Sequence, residues 1–162
     1  MLGLSRANFF NHELSEKERA HYSKRTVDIE YKFPFGQDEL WAIAYRSDYD
    51  LKRHQEESGK SMAYFDQNSK KKYIPKVIEP TFGLDRTMLA VLSEGFCQEK
   101  DRVVLKLNPK VAPYKAAVFP LLANKPALVN LAEKIYDDLR RKFYVAFDDR
   151  GNIGKRYYSQ DE

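Results

Sequence analysis

The sequence predicts an α+β fold built from two unlike parts. From Val27 to Phe33, apolar and charged residues alternate with the period of a half-buried strand, and a second strand pattern follows the Pro34/Gly36 break. Two strands joined by so short a turn predict an antiparallel pair. Past residue 108 the order becomes apolar strand, helix, apolar strand, which predicts a right-handed parallel crossover. The Pro-containing stretch Asn108-Pro109 to Ala112-Pro113 lies between the two patterns, so a first domain is expected at 1–107 and a second at 108–162.

Ser15-Glu16-Lys17-Glu18 reads as a capping box, predicting a helix from about Glu16 to Lys24. Val27, Ile29, Tyr31 and Phe33 then mark the buried face of the first strand. In the second strand, Glu39 to Arg46, the alternation puts Glu39, Trp41, Ile43 and Tyr45 on one face and Leu40, Ala42, Ala44 and Arg46 on the other. Asp50 to Glu57 predicts a short helix stopped at Ser58-Gly59, and residues 66–72 a polar loop. Tyr73 to Glu79 is expected as a strand ending in a carboxylate, followed by a glycine turn and a helix with Leu84, Met88, Val91 and Leu92 on its apolar face. Val103 to Leu107 predicts another strand. In the second part the strands are Ala116 to Leu121 and Tyr144 to Phe147, and the helix between them carries the stripe Leu128, Leu131, Ile135, Leu139. There is no internal repeat.

Composition narrows the function classes. With 11 Tyr, 10 Phe and one Trp, the chain can bury a core. A single cysteine, Cys97, cannot form an internal disulfide and fits a reducing cytoplasm. No apolar run approaches the roughly 20 residues that span a bilayer, and the N-terminus lacks a signal-peptide pattern. Residues 1–107 carry 18 basic and 17 acidic side chains, whereas 108–162 carry 10 and 7. The shorter part is thus the more basic, which mildly favours an RNA-facing role there, although charge alone favours a merely solvated surface. His12, His21 and His54 show no metal-ligand spacing, and neither a hydrolase triad signature nor a dinucleotide glycine fingerprint is present.

The densest chemistry lies in Val77-Ile78-Glu79-Pro80-Thr81-Phe82-Gly83-Leu84-Asp85-Arg86. Glu79 can accept an ammonium with the Thr81 hydroxyl beside it, or simply cap the following helix. Gly83 permits close approach of backbone to a ligand. Arg86 offers a planar fork to phosphate at a helix N-terminus, the end where the dipole disfavours a cation. This run resembles motif 3 of the class II aminoacyl-tRNA synthetases, in the form found in the glycyl-tRNA synthetase family. The resemblance extends to Ala20-His21-Tyr22 through Thr26 to Gly36, to Glu39-Leu40-Trp41-Ala42-Ile43-Ala44 with Arg46 to Leu51, and to the Ala112-Pro113-Tyr114-Lys115 and Gly151 to Tyr157 blocks.

That resemblance implies the C-terminal part of an antiparallel-sheet catalytic domain, followed by the first part of an α/β anticodon-binding domain. It implies activation of glycine by ATP and transfer to tRNA-Gly in the cytoplasm, by an enzyme that is a homodimer when intact and binds neither DNA nor membrane. Glu79, Thr81, Gly83 and Arg46 would meet glycine; Glu39, Leu40, Gly83 and Arg86 would meet ATP; Glu79 and Arg86 would act in catalysis. Glu39 would also serve a Mg²⁺ ion. The family usually has serine where Thr81 stands and glycine where Ala42 stands. Motifs 1 and 2 are not found, so a fragment is expected that is inactive alone, poorly soluble or self-associating. A non-catalytic tRNA-binding or regulatory relative remains the alternative.

Overall fold

A computed structural model describes residues 2–161, which form two compact units. One unit spans residues 5–90, and the other comprises residues 2–4 and 91–161.

The first unit is built on a four-stranded antiparallel sheet in the order β1-β2-β3-β6. Its strands are β1 (Phe9–Glu13), β2 (Arg25–Phe33), β3 (Gly36–Ser47) and β6 (Val77–Phe82), with the short hairpin β4 (Tyr64–Phe65) and β5 (Lys72–Tyr73) inserted before β6. The expected β2–β3 pair is present, with Phe33 opposite Gly36 across the Pro34-Phe35 turn. Gly36 has φ +133°, a conformation that glycine tolerates. Helix α1 (Tyr49–Ser58) ends at Gly59, whose φ of +66° is the left-handed C-cap.

Cross-strand partners share a face of the sheet. One face carries Phe9, Tyr31, Phe33, Trp41 and Phe82, whose rings meet edge-on or tilted at 5.1–5.6 Å between neighbours. Helix α2 (Leu84–Gly95) is tied to this face by the Trp41 indole, which donates to the Thr87 hydroxyl at 2.8 Å. Tyr31, Phe33, Leu40 and Ala90 are buried there or beside it.

In the second unit, β7 (Phe96–Gln98) pairs antiparallel with β8 (Val103–Leu105). Strands β9 (Ala116–Val118) and β10 (Val145–Phe147) pair in parallel, with α3 (Pro126–Leu139) between them in sequence, as the strand–helix–strand pattern predicts. Val118, Ala132 and Val145 make the core, with Tyr136, Leu139 and Phe147 packed around it. Helix α4 (Ile153–Asp161) follows.

Four local expectations are corrected. No helix forms over 16–24. The Ser15 amide does donate to Glu18 at 3.0 Å, but the segment stays a turn, because it offers no apolar stripe to repay helix nucleation. The stretch Tyr73 to Glu79 is two strands broken around Pro75, and Glu79 lies inside β6 rather than at its end. Glu39 does not share the Trp41 face, for a reason given below. The apolar stripes of α2 and α3 are turned outward in part: Ala90 and Ala132 are buried, while Leu84, Met88, Leu92, Leu131 and Ile135 are exposed.

Candidate active site on the polar sheet face

The opposite face of the sheet is polar and carries the residues singled out by sequence. Two registers organise it. Thr26 of β2 lies opposite Ala44 of β3, which lies opposite Glu79 of β6. One step along, Asp28 lies opposite Ala42, which lies opposite Thr81. The two alanines leave a low floor between acidic and hydroxyl walls. Glu79 and Thr81 share this face because they are two residues apart in a strand.

Strand β3 departs from regular pairing at two places, and both serve the site. Opposite β2 the partners run Ile29–Trp41 and then Glu30–Glu39, so Leu40 is an extra residue. The bulge moves Glu39 onto the polar face with Glu30, where simple alternation would have put it on the aromatic face. Leu40 itself is buried, and its carbonyl accepts the Gly83 amide at 3.3 Å. A Cβ on Gly83 would stand 3.0 Å from that carbonyl. The close approach Gly83 permits is therefore to Leu40, fixing the turn between β6 and α2.

The second irregularity is opposite β6, where Tyr45–Ile78 is followed by Ser47–Val77 and Arg46 is the extra residue. Ser47, buried, takes φ +54° as the strand turns away. Arg46 is thereby aimed along the polar face at Glu79, whose carboxylate accepts its Nη1–H at 2.7 Å. Asp50 takes the rest of the guanidinium in a fork, with Nε–H donating at 2.6 Å and Nη2–H at 2.7 Å. The plane of the guanidinium lies over the Tyr22 ring, 3.8 Å from its centroid. The hydrogen bonds it donates to Asp50 and then to Glu79 raise the Arg46 pKa, and Arg46 in turn holds the Asp50 carboxyl below its usual range. Burial pushes the Asp28 carboxyl up.

Arg86, on the first turn of α2, is half-exposed. Its guanidinium donates to the Glu39 carbonyl and sits 3.1 Å from Asp38. The Glu39 amide and the Arg86 side chain hold the Asp38 carboxyl low. That carboxylate offsets the dipole misfit expected for an arginine here.

The structure thus brings Glu79, Thr81 and Arg46 to one face and Glu39, Leu40, Gly83 and Arg86 to one turn. Sequence reasoning missed Asp28, Asp50 and Tyr22. The i,i+4 spacing of Arg46 and Asp50 was the available signal for one of them; Tyr22 stands in the Ala20-His21-Tyr22 block of the resemblance, which gave it no role. Among the described residues no cluster of three or more His, Cys, Asp or Glu is arranged to hold a metal ion.

An alanine floor between acidic and hydroxyl walls with an oriented arginine, and a second arginine held by Asp38 and the Glu39 carbonyl at a helix start, suit a zwitterion and a polyphosphate, the kinds of substrate that an aminoacyl-tRNA synthetase takes. Comparison with known proteins finds the chain similar to part of the glycine–tRNA ligases. The chain is 49% identical over 164 residues to the glycine–tRNA ligase of Caldanaerobacter subterraneus subsp. tengcongensis. It is 46% identical over 166 residues to that of Geobacillus kaustophilus and 45% identical over 166 residues to that of Clostridium acetobutylicum. Each alignment takes in 99% of this chain and 35% of the relative, so the chain spans about a third of the length of the curated relatives it matches. No protein-family model matches the chain. No helix among the described residues is long and apolar enough to cross a membrane.

Proposed function

We propose that this chain supplies the glycine-holding and part of the ATP-holding surface of a glycine–tRNA ligase. Such an enzyme joins glycine to ATP as glycyl-adenylate, releases pyrophosphate, and passes the glycyl group to the 3′ end of tRNA-Gly. What supports the reading most is the Arg46–Glu79 ion pair at 2.7 Å on the face that also carries Thr81, in a chain 49% identical to a glycine–tRNA ligase.

Glycine is a zwitterion with no side chain to grip. The Arg46–Glu79 pair is its complement: ammonium meets Glu79 and the Thr81 hydroxyl, carboxylate meets Nη1 of Arg46. One ion pair is exchanged for two, while the Asp50 fork keeps Arg46 from turning away. The cost of orienting the arginine is thus met before substrate arrives. The Thr81 methyl and the walls around Ala42 and Ala44 narrow the site against larger amino acids, which is how a glycine site discriminates.

Arg86 leaves Glu39 and Asp38 to bind ATP phosphate, where its charge offsets negative charge developing in the transition state. Leu40 acts through its backbone, which holds the Gly83 turn. Glu39 can give one carboxylate to a Mg²⁺ ion whose other ligands are phosphates and water, the usual pattern for this ion. That ion would neutralise phosphate charge.

The test is glycine-dependent exchange of labelled pyrophosphate into ATP, using this chain with a polypeptide carrying the part of the relatives that it does not match. Exchange in the mixture, lowered at least about 100-fold by Glu79→Gln, a loss in line with removing one transition-state contact, supports the proposal. A folded mixture that binds tRNA-Gly but never exchanges pyrophosphate overturns it in favour of a tRNA-binding protein without catalysis.

A further inference from the structure

Arg46 is held from three sides. Asp50 takes its Nε and Nη2 edge, Glu79 takes Nη1, and the Tyr22 ring lies against its flat face at 3.8 Å. A guanidinium has five N–H groups. Those bonds use three of them, and the others meet no acceptor among the described residues. The two carboxylates fix the arginine within its own plane. They oppose a tilt out of that plane only weakly, because the hydrogen atoms at a carboxyl oxygen tolerate a broad range of directions. A contact on the flat face is what opposes the tilt.

The fold builds Tyr22 into that place. Ser23 is buried, with its hydroxyl 2.8 Å from the Thr26 hydroxyl, and the Lys24 amide donates to the Tyr45 carbonyl at 2.8 Å. These bonds tie the turn at 20–24 to the end of β3, beside Arg46. His21 packs edge-on against Tyr22 at 5.3 Å and against Tyr49 at 5.6 Å. Tyr49 opens α1, the helix that also carries Asp50. One helix therefore braces both the stack and the carboxylate fork. The Tyr22 hydroxyl makes no hydrogen bond among the described residues, so what it offers the site is its ring.

We propose that Tyr22 is a positioning residue for substrate binding: its ring face holds the Arg46 guanidinium flat, with the spare N–H groups turned to the substrate carboxylate. The inference rests on the reading of Arg46 as the group that meets the glycine carboxylate. The negative face of the ring attracts the cation, and the ring keeps water off that side. A guanidinium shielded on one face has less water to shed and less motion to lose when a carboxylate arrives. In this role Tyr22 touches neither substrate and acts through Arg46.

The test is the reconstituted pyrophosphate exchange with substitutions at Tyr22, and circular dichroism melts control for folding. Tyr22→Leu should raise the KM for glycine about fivefold or more, the scale of losing one half-buried cation–π contact. The kcat and the KM for ATP should stay unchanged, the split expected when only ground-state binding is lost. Tyr22→Phe should keep the wild-type values. Phenylalanines of increasing fluorination at position 22 keep the shape of the ring while draining negative charge from its face, so the KM for glycine should climb along the series. Because that series holds the packing constant, it decides the question even where Tyr22→Leu fails to fold. A KM that fluorination does not move, or a Tyr22→Phe loss equal to that of Tyr22→Leu, overturns the inference alone, since exchange itself would still be present. A folded wild-type mixture without exchange overturns the glycine reading and the inference with it.

Discussion

Arg46 in the first unit and Arg156 in the second each hold their surroundings together, by opposite means. Arg46 is met by side-chain carboxylates, Asp50 and Glu79, at the edge of an open face. Arg156 is buried and donates to four main-chain carbonyls, those of Pro120, Asp149, Arg150 and Gly151. Carbonyls of a fixed loop cannot exchange an arginine for a ligand without unfolding. Carboxylates at an open face can. The resemblance to the synthetase family draws on both blocks alike; the structure separates them into a surface ready for exchange and a structural staple.

Removing the staple is expected to have the largest effect. Arg156→Leu leaves four carbonyls short of a donor and should destabilise the second unit by about 6 kcal/mol, at roughly 1.5 kcal/mol for each strong charged hydrogen bond lost. Hydrogen exchange at the Val118 and Val145 amides reads this. Arg156→Lys should rescue little, since an ammonium cannot match a four-point planar fork. If lysine restored full protection, the planar geometry would be irrelevant. Arg46→Met should cost only about 1 kcal/mol of stability, as partly exposed ion pairs do, yet raise the KM for glycine in the reconstituted enzyme at least about 30-fold, the scale of losing one charged contact. A large stability loss with unchanged KM would make Arg46 a second staple and erase the contrast.

Acid separates the two arginines without mutation. The Asp50 carboxyl is held low by its bond to Arg46, so its contribution is intact above the ordinary carboxylate pKa of about 3.9. The contribution fades as pH falls through the depressed value. The Arg46 Nε–H resonance should therefore move in that acid window. The Arg156 Nε–H resonance should move less, because its bonded partners are carbonyls, which do not titrate, and only the charge of the nearby Asp148 carboxylate acts on it. Asp50→Asn should abolish the Arg46 shift; a shift that persisted would show that the Asp50 carboxylate is not its source.

Much of this contrast was out of reach of the sequence. Strand β2 was legible because Val27, Ile29, Tyr31 and Phe33 alternate with charges. Helix α1 was legible because Gly59 marks its end. Strand β1 was not, since Phe9-Phe10-Asn11-His12-Glu13 shows no alternation and forms only against β2. The residue types of the site were visible, but their faces were not. One bulge at Leu40 turns Glu39 over and another at Arg46 aims its side chain, and a bulge depends on the partner strand. Arg156 was invisible as a core residue because a charged side chain is expected outside unless its partners are known.

Lys115 gives the smallest expected effect and tests how far the staple reading extends. It lies in the Ala112-Pro113-Tyr114-Lys115 block, where the resemblance implies the start of an anticodon-binding domain and a basic residue invites a role in tRNA contact. Its Nζ instead donates to the carbonyls of Pro109 at 2.6 Å, Lys110 at 3.1 Å and Ala112 at 2.7 Å, closing the loop over itself. The side chain is exposed, so water can replace it at those carbonyls. Lys115→Met should then cost no more than about 1 kcal/mol, confined to faster exchange at the Ala112 amide, which donates to Asn108. Its affinity for tRNA should keep the wild-type salt dependence, because an ammonium engaged with three carbonyls is not neutralising a phosphate. A shallower salt slope, lower by about one counterion, would show that Lys115 leaves the loop to reach RNA. It would then belong with Arg46 among the side chains that exchange partners rather than with Arg156.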